Sequence, residues 1–203
     1  MQPPVSRSFA VAMFAAVLFL ASVAGFGALL PTYSHSMHPV ALLGATPVPR
    51  GGLFNVLGFA IPGLLAAWTF NGFRGHLDGL RWSARIGAQT LLLSAIAFAL
   101  HAVLPLDLAD VEAPGNRLQG AAWTLWWLAT LVGGVLLALG LRRTPLAGIA
   151  RSVLVLAAGV VVLSLVAPIV LPDGLAQRLA FAAWWLAVIV VSRGPGGTRR
   201  TGG

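Results

Sequence analysis

The sequence contains no cysteine, no lysine and very few charged residues of any kind. Without cysteine, the chain has no disulfide, no thiolate metal site, no cysteine-held iron–sulfur cluster and no cysteine nucleophile. Only 9% of its 203 residues are charged, whereas a soluble domain carries about 25%. So few charges do not cover the surface of a soluble protein of this size. The composition therefore predicts an integral membrane protein.

The apolar residues, 58% of the chain, are arranged in long runs. A membrane-spanning helix needs about 20 such residues. The sequence therefore predicts an all-α, polytopic membrane helix bundle as a single domain over residues 1–192, followed by a disordered basic tail over 193–203. The six predicted transmembrane spans are 8–30, 53–72, 86–104, 119–141, 149–171 and 175–192.

The first apolar run has some features of a signal peptide. Arg7 precedes it, and Ser22-Val23-Ala24 is similar to a small-residue cleavage site. The run continues through Gly25 to Leu30, which is long for a signal peptide. We therefore predict a retained first helix. The alternative is cleavage of residues 1–24, which would leave five helices.

The arginines are distributed unevenly between the two sides of the predicted membrane. If the N terminus is cytoplasmic, ten of the thirteen arginines lie inside. Because cytoplasmic loops carry an excess of positive residues, this predicts cytoplasmic N and C termini in a multi-pass plasma-membrane protein, in bacteria the inner membrane. The same rule accounts for the net charge of +8, so the charge does not indicate nucleic-acid binding. We predict membrane lipids as partners and no nucleic acid. The inside set is Arg7, Arg74, Arg81, Arg85, Arg142, Arg143, Arg151, Arg193, Arg199 and Arg200, and the outside set is Arg50, Arg117 and Arg178.

Titratable residues gather at the predicted external face, on the two longer loops and at the end of the third span. Histidine and carboxylate together can bind a divalent metal or perform acid–base catalysis. The sequence has no HExxH or comparable metal signature. We therefore interpret the group as a polar rim, predict no metal and no cofactor, and assign no catalytic residue. The weak catalytic candidates are His35, His38, His101, Asp107 and Asp110.

Four tryptophans lie deep in the predicted fourth and sixth spans: Trp126, Trp127, Trp184 and Trp185. One interpretation is bulky packing between these two helices. The other is an aromatic-lined cavity for a lipid tail or apolar ligand, which makes the four residues weak ligand-binding candidates.

Several short segments resemble a family of prokaryotic multi-pass membrane proteins called domain of unknown function 998. Residues 43–46 (LGAT) and 55–59 (NVLGF) are similar to its segments around the second helix, and residues 104–107 (LPLD) to its Phe-Pro-x-Asp. Leu118-Gln119-Gly120 lies where members often have Leu-His-Gly, and Ala41-Leu42 replaces their Ser-Glu pair. The resemblance implies a fold and a location, but no activity.

Three functions are compatible with these features. The first is a membrane protein without catalysis that binds a lipid, an apolar ligand or a protein partner, as a monomer or as a homo- or hetero-oligomer. The second is a small permease. It is favoured by the Trp-Trp-Leu-Ala repeat at 126–129 and 184–187, and disfavoured by the scarcity of ionisable residues inside the spans. The third is an outward-facing enzyme that uses the external histidines and aspartates.

Overall fold

The computed structural model describes residues 7–110 and 112–194. These residues form no strand and contain six helices long and apolar enough to cross a membrane. This confirms the prediction of an all-α fold and is compatible with six spans. Of the predicted tail, residues 195–203 lie outside the described part. The helices are α1 (Arg7–Ala28), α2 (Gly51–Gly75), α3 (Trp82–Leu100), α4 (Pro114–Leu141), α5 (Ala147–Leu165) and α6 (Asp173–Ser192).

The end of α3 differs from the prediction. The predicted span was 86–104, but the helix covers Trp82–Leu100 and turns follow it. Pro105 has no N–H to donate to the carbonyl of His101, four residues earlier, and its ring collides with that carbonyl, so the regular helix does not continue past this point. His101 is therefore the first residue after the helix. It was predicted to lie about one turn inside the span, and that placement was wrong.

The predicted span 149–171 continues through Pro168, which requires a kink in the helix at that residue. In the structure, Pro168 ends α5. The regular α-helix stops at Leu165, and a short 3₁₀ turn follows at Ala167–Ile169. Proline has no N–H to donate to the carbonyl four residues earlier, and its ring collides with that carbonyl. The short turn directs the chain into α6.

Helix α2 contains an irregular segment in the turn before Pro62. Residues Asn55–Ala60 form a π-helix between two α-helical parts. Here the buried Asn55 donates from Nδ2 to the carbonyl of Gly44, at 3.0 Å. A Cβ on Gly44 would collide with the Asn55 amide, so only glycine fits at this contact. This hydrogen bond joins the first long loop to the start of α2.

Helices α3 and α4 approach so closely that their backbones touch. A Cβ added to Gly87 would lie 2.6 Å from the backbone nitrogen of Leu137, and one added to Gly140 would lie 2.7 Å from Cα of Ala84. Small residues permit such close packing between membrane helices, where dispersion forces and weak polar contacts replace the hydrophobic effect. These two glycines define what we call the α3–α4 seam.

Aromatic rings fill the centre of the bundle. The ring of Phe98 from α3 stacks on Trp184 from α6 with centroids 4.8 Å apart, and Phe19 from α1 meets Phe181 from α6 at 5.3 Å. All four side chains are buried. Edge-to-face and offset contacts of this kind add to the energy of burial. Three helices that are distant in the sequence therefore meet in one aromatic core.

The two ends of the bundle differ in character. At one end the Arg193 guanidinium lies 5.2 Å from the centre of the Phe9 ring, so the start of α1 meets the end of α6. We call this the arginine-rich end, because the α2–α3 and α4–α5 turns there also carry arginines. The opposite end bears the two longer connections, residues 29–50 and 101–113, and we call it the loop end.

Candidate functional site

The first long loop is fastened to the start of α6 by Arg178. Its Nη1 donates to the carbonyls of His38, at 2.9 Å, and of Gly174, at 2.7 Å. Its Nη2 donates to the hydroxyl of Tyr33. Hydrogen bonds from a charged donor are stronger than those from a neutral one. One guanidinium thus holds two points of the loop against its own helix.

Tyr33 acts as a neutral phenol in this contact. Partial burial raises the pKa of Tyr33 above its usual value, and the nearby Arg178 charge opposes part of the rise. The hydroxyl therefore keeps its proton at physiological pH and donates it to the carbonyl of Pro39, at 3.2 Å. Tyr33 accepts from Arg178 and donates to the loop at the same time.

Backbone contacts reinforce this docking. The N–H of Leu175 donates to the carbonyl of Ser36 at 2.9 Å, and the N–H of Val40 donates to Oε1 of Gln177 at 2.6 Å. A Cβ on Gly174 would lie 2.5 Å from the carbonyl oxygen of His38. The loop therefore lies directly on the first turn of α6.

The far side of the same loop joins the second long connection. The N–H of Thr46 donates to the carbonyl of Leu106 at 2.8 Å, and the N–H of Leu108 donates to the carbonyl of Thr46 at 3.5 Å. These bonds form an isolated parallel bridge between Thr46 and Asp107. The first loop thus spans the loop end from α6 to the end of α3.

A cleft of about 300 Å³ lies at the loop end, and a smaller one of about 170 Å³ adjoins it. The two share Pro39, Trp123 and Gln177, and the smaller one reaches Leu163 and Pro168 at the end of α5. We call the larger one the loop-end cleft. Among the described residues, its lining includes Pro39, His101, Leu106, Gln119, Trp123 and Gln177 and carries no arginine, aspartate or glutamate.

His101 is the most buried polar residue of this lining, with 3% of its surface exposed. Its Nδ1 lies 3.0 Å from the carbonyl of Ala97 and 3.2 Å from that of Phe98. Its ring stacks on Phe59 with centroids 5.3 Å apart. The other ring nitrogen, Nε2, is buried without a hydrogen-bond partner among the described residues. Such groups are rare in folded proteins and mark sites of strain or function.

The structure gives the loop histidines separate local contacts. Nδ1 of His38 accepts from the backbone N–H of Ser34 at 2.9 Å. His35 lies against the ring of Tyr33, and its Nδ1 is 3.4 Å from Nη2 of Arg178. Both therefore shape the loop around its fastening to α6.

The two aspartate candidates support turns of the second long connection. Oδ1 of Asp107 accepts from the N–H groups of Ala109, at 2.9 Å, and Asp110, at 3.3 Å. Oδ1 of Asp110 accepts from the N–H of Glu112 at 3.0 Å. In residues 7–110 and 112–194, no group of three or more histidine, aspartate or glutamate side chains is placed to hold a metal ion. Of the five candidates, His101 is the one among the described residues that line the cleft.

Three of the four candidate tryptophans belong to the aromatic core. Trp126 and Trp184 are fully buried, with centroids 6.0 Å apart, and Trp185 adjoins Trp184 at 4.9 Å. Trp127 is only partly buried. The space between α4 and α6 is thus occupied by the rings themselves. The aromatic residue that does line the cleft is Trp123, one turn earlier on α4.

Sequence reasoning missed the parts played by Arg178 and Gln177. Arg178 was only sorted among the external arginines, although it falls inside the predicted span 175–192. A charge within a span is costly unless it has a partner or reaches the interface. A charged residue inside a predicted span could therefore have identified Arg178 from the sequence. It indicates that another segment must supply hydrogen-bond acceptors to the first turn of α6.

A different cleft, of about 350 Å³, lies at the arginine-rich end between α2 and α3. Arg74, Asp78 and Arg85 line it together with the exposed Trp82, and Arg74 donates to the side chain of Gln89. Its lining is charged, in contrast to that of the loop-end cleft.

No protein-family model, no curated protein and no solved structure matches the chain.

Proposed function

We propose that this chain is a multi-pass protein of the bacterial inner membrane that binds a lipid or another apolar ligand in the loop-end cleft, without catalysis. The observation that carries the proposal is the cleft itself. It lies beneath a loop fastened at both sides, its lining is mostly apolar with a few polar groups, and its smaller neighbour leads to the exposed end of α5. Ligand sites commonly combine these properties.

The aromatic core favours binding over transport. A permease needs a route through the middle of the bundle, and its substrate site commonly lies near the midplane. In this chain the rings of Phe98, Phe181 and Trp184 are buried and packed against one another inside the bundle. The loop-end cleft lies above them, so a ligand that enters from the loop end meets a packed floor.

We further propose that both termini are cytoplasmic, with the loop end outside, and that the chain belongs to the domain of unknown function 998 family. The arginines of the α2–α3 and α4–α5 turns support the orientation through the positive-inside rule. Membership of the family remains a prediction from the motifs.

Single cysteines test the orientation without background, because the chain has none of its own. Thr32 and Ala109 are exposed at the loop end, and Asp78 is exposed at the arginine-rich end. We expect a membrane-impermeant maleimide to label Thr32→Cys and Ala109→Cys in intact cells, and Asp78→Cys only after permeabilisation. Labelling of Asp78→Cys in intact cells would contradict the proposed orientation.

Filling the cleft tests the binding function. A Cβ on Gly120, which lines the cleft on α4, meets no atom within 4 Å, so a side chain can start there without contact with a neighbouring helix. We expect native mass spectrometry of the purified protein to show a bound lipid, and Gly120→Leu to lose it. Gly72→Leu is the matched control, since a Cβ on Gly72 also enters open space but lies outside the cleft. Equal lipid occupancy in the two variants would refute binding in the cleft.

A further inference from the structure

The contacts of His101 fix which tautomer its neutral ring adopts. Both atoms within reach of its Nδ1 are backbone carbonyl oxygens, of Ala97 and Phe98. A carbonyl oxygen can only accept, so Nδ1 carries the hydrogen, and in the neutral ring Nε2 then has a bare lone pair. That nitrogen is buried and has no partner in the described part of the chain. It is an acceptor without a donor.

Gln119 is a second unpartnered polar side chain in the same lining. It is 7% exposed, and its amide forms no hydrogen bond with the residues that the structure describes. Gln177 adds a donor, because its Oε1 is occupied by the N–H of Val40 while its NH₂ group is left for other contacts. The wall of the loop-end cleft therefore contains a buried acceptor on His101 and amide donors on Gln119 and Gln177.

The charge around the cleft selects against anions. Among the described residues the lining has no cationic side chain, and the charged residue of the adjoining smaller cleft is Asp173, a carboxylate. The neighbouring Arg178 is already bound to two backbone carbonyls and to the Tyr33 hydroxyl. A phosphate would therefore meet no free cation in the lining, and burying an unpaired charge is costly. A hydroxyl group both donates and accepts, which matches the available acceptor and donors. The apolar residues Leu163 and Pro168 continue the path toward the exposed end of α5.

We propose that the loop-end cleft binds the uncharged, hydroxyl-bearing head of a lipid, with the hydroxyl donating to Nε2 of His101 and its apolar chain leaving past the end of α5. This inference rests on the proposed lipid-binding function and specifies the ligand class. A glycerolipid with a free hydroxyl and a polyprenol share this chemistry, and the experiment separates them.

The test compares matched lipids on the purified full-length protein by native mass spectrometry. The probes are dioctanoylglycerol and farnesol, each beside its acetate ester, which caps the hydroxyl, and dioctanoyl phosphatidic acid as the anionic lipid. We expect at least one free alcohol to bind about tenfold more tightly than its ester, a difference of about 1.4 kcal/mol, and more tightly than phosphatidic acid. A preference for dioctanoylglycerol indicates a glycerolipid, and a preference for farnesol indicates a polyprenol.

Two variants test whether the preference for the free alcohol depends on Nε2 of His101. His101→Phe keeps an aromatic ring to stack on Phe59 but removes the acceptor, so we expect alcohol and ester to bind alike. Gln119→Met, which removes an amide donor of the lining and leaves the Val40–Gln177 bond in place, supplies a second measure if His101→Phe does not fold, and it should reduce the preference severalfold. Gly72→Leu should keep it.

The failures of the two proposals are distinguishable. Equal binding of alcohol and ester to the unaltered protein, or tighter binding of phosphatidic acid, overturns the hydroxyl assignment but leaves lipid binding in the cleft intact. An unchanged preference in folded His101→Phe also overturns it. No binding of any of these lipids, together with no co-purifying lipid, overturns both.

Discussion

Arg178→Ala is expected to release the first long loop from α6 while the six helices stay folded. The substitution removes the donors to the carbonyls of His38 and Gly174 and to the Tyr33 hydroxyl. A hydrogen bond from a charged group contributes about 1.5–3 kcal/mol. Even one such bond lost from this partly exposed site would raise the local opening of the loop by about tenfold or more. Hydrogen exchange of residues 31–49, measured by mass spectrometry in micelles, reports this change directly.

Arg117→Ala is the matched control, because it removes an arginine from the same end of the bundle. Arg117 pairs with Glu112, but the two side chains are 73% and 82% exposed. Such a pair is worth about 1 kcal/mol or less. Exchange in residues 31–49 should stay unchanged in this variant. Unchanged exchange in Arg178→Ala as well would show that the backbone contacts alone hold the loop.

Gly140→Ala is expected to have the largest effect on global stability among conservative changes in the helices. The added methyl group would overlap the backbone nitrogen of Ala84 and lie 2.7 Å from its Cα. Backbone atoms cannot rotate away, so α3 and α4 must separate. Overpacking of this kind costs about 1–3 kcal/mol. For a chain of this length, each kcal/mol corresponds to about 2–4 °C in Tm, so we expect a fall of several degrees by tryptophan fluorescence in detergent.

Gly159→Ala provides the control for helix propensity. Gly159 lies in the middle of α5, and a Cβ there meets no atom within 4 Å. Alanine favours a helix over glycine by about 1 kcal/mol. Its Tm should therefore be unchanged or slightly higher. An equal fall in both variants would mean that the α3–α4 seam is not what makes Gly140 sensitive.

The helices were predictable because each follows from a local sequence pattern. The candidate site was not, because it depends on contacts between residues that are distant in the sequence. Each span is a continuous apolar run, and the errors occurred at Pro168 and His101, where a turn forms within a hydrophobic stretch. His101 was identified as a candidate from its position near the external end of a span. Its orphaned Nε2 became visible only when the carbonyls of its own helix and the ring of Phe59 were in place.

The docking of the loop could not be predicted from local patterns. Gln177 and Arg178 contact residues that lie far away in the sequence, and no periodicity records which loop will meet which helix start. The same holds for His35, His38, Asp107 and Asp110, which the sequence offered only as weak candidates on a polar rim. His38, Asp107 and Asp110 hydrogen-bond to backbone N–H groups nearby in the sequence, and His35 lies against Tyr33 and Arg178.

The bond between Val40 and Gln177 joins residues 137 positions apart, and this separation has a consequence for biosynthesis. A ribosome adds about 5–20 residues per second, so the loop waits roughly 7–27 s for α6 to be made. During that time the loop-end cleft lacks the wall that Gln177 supplies. Under the proposed lipid-binding function, a chain whose synthesis stops before α6 has an incomplete cleft, so lipid would be loaded only after the chain is complete.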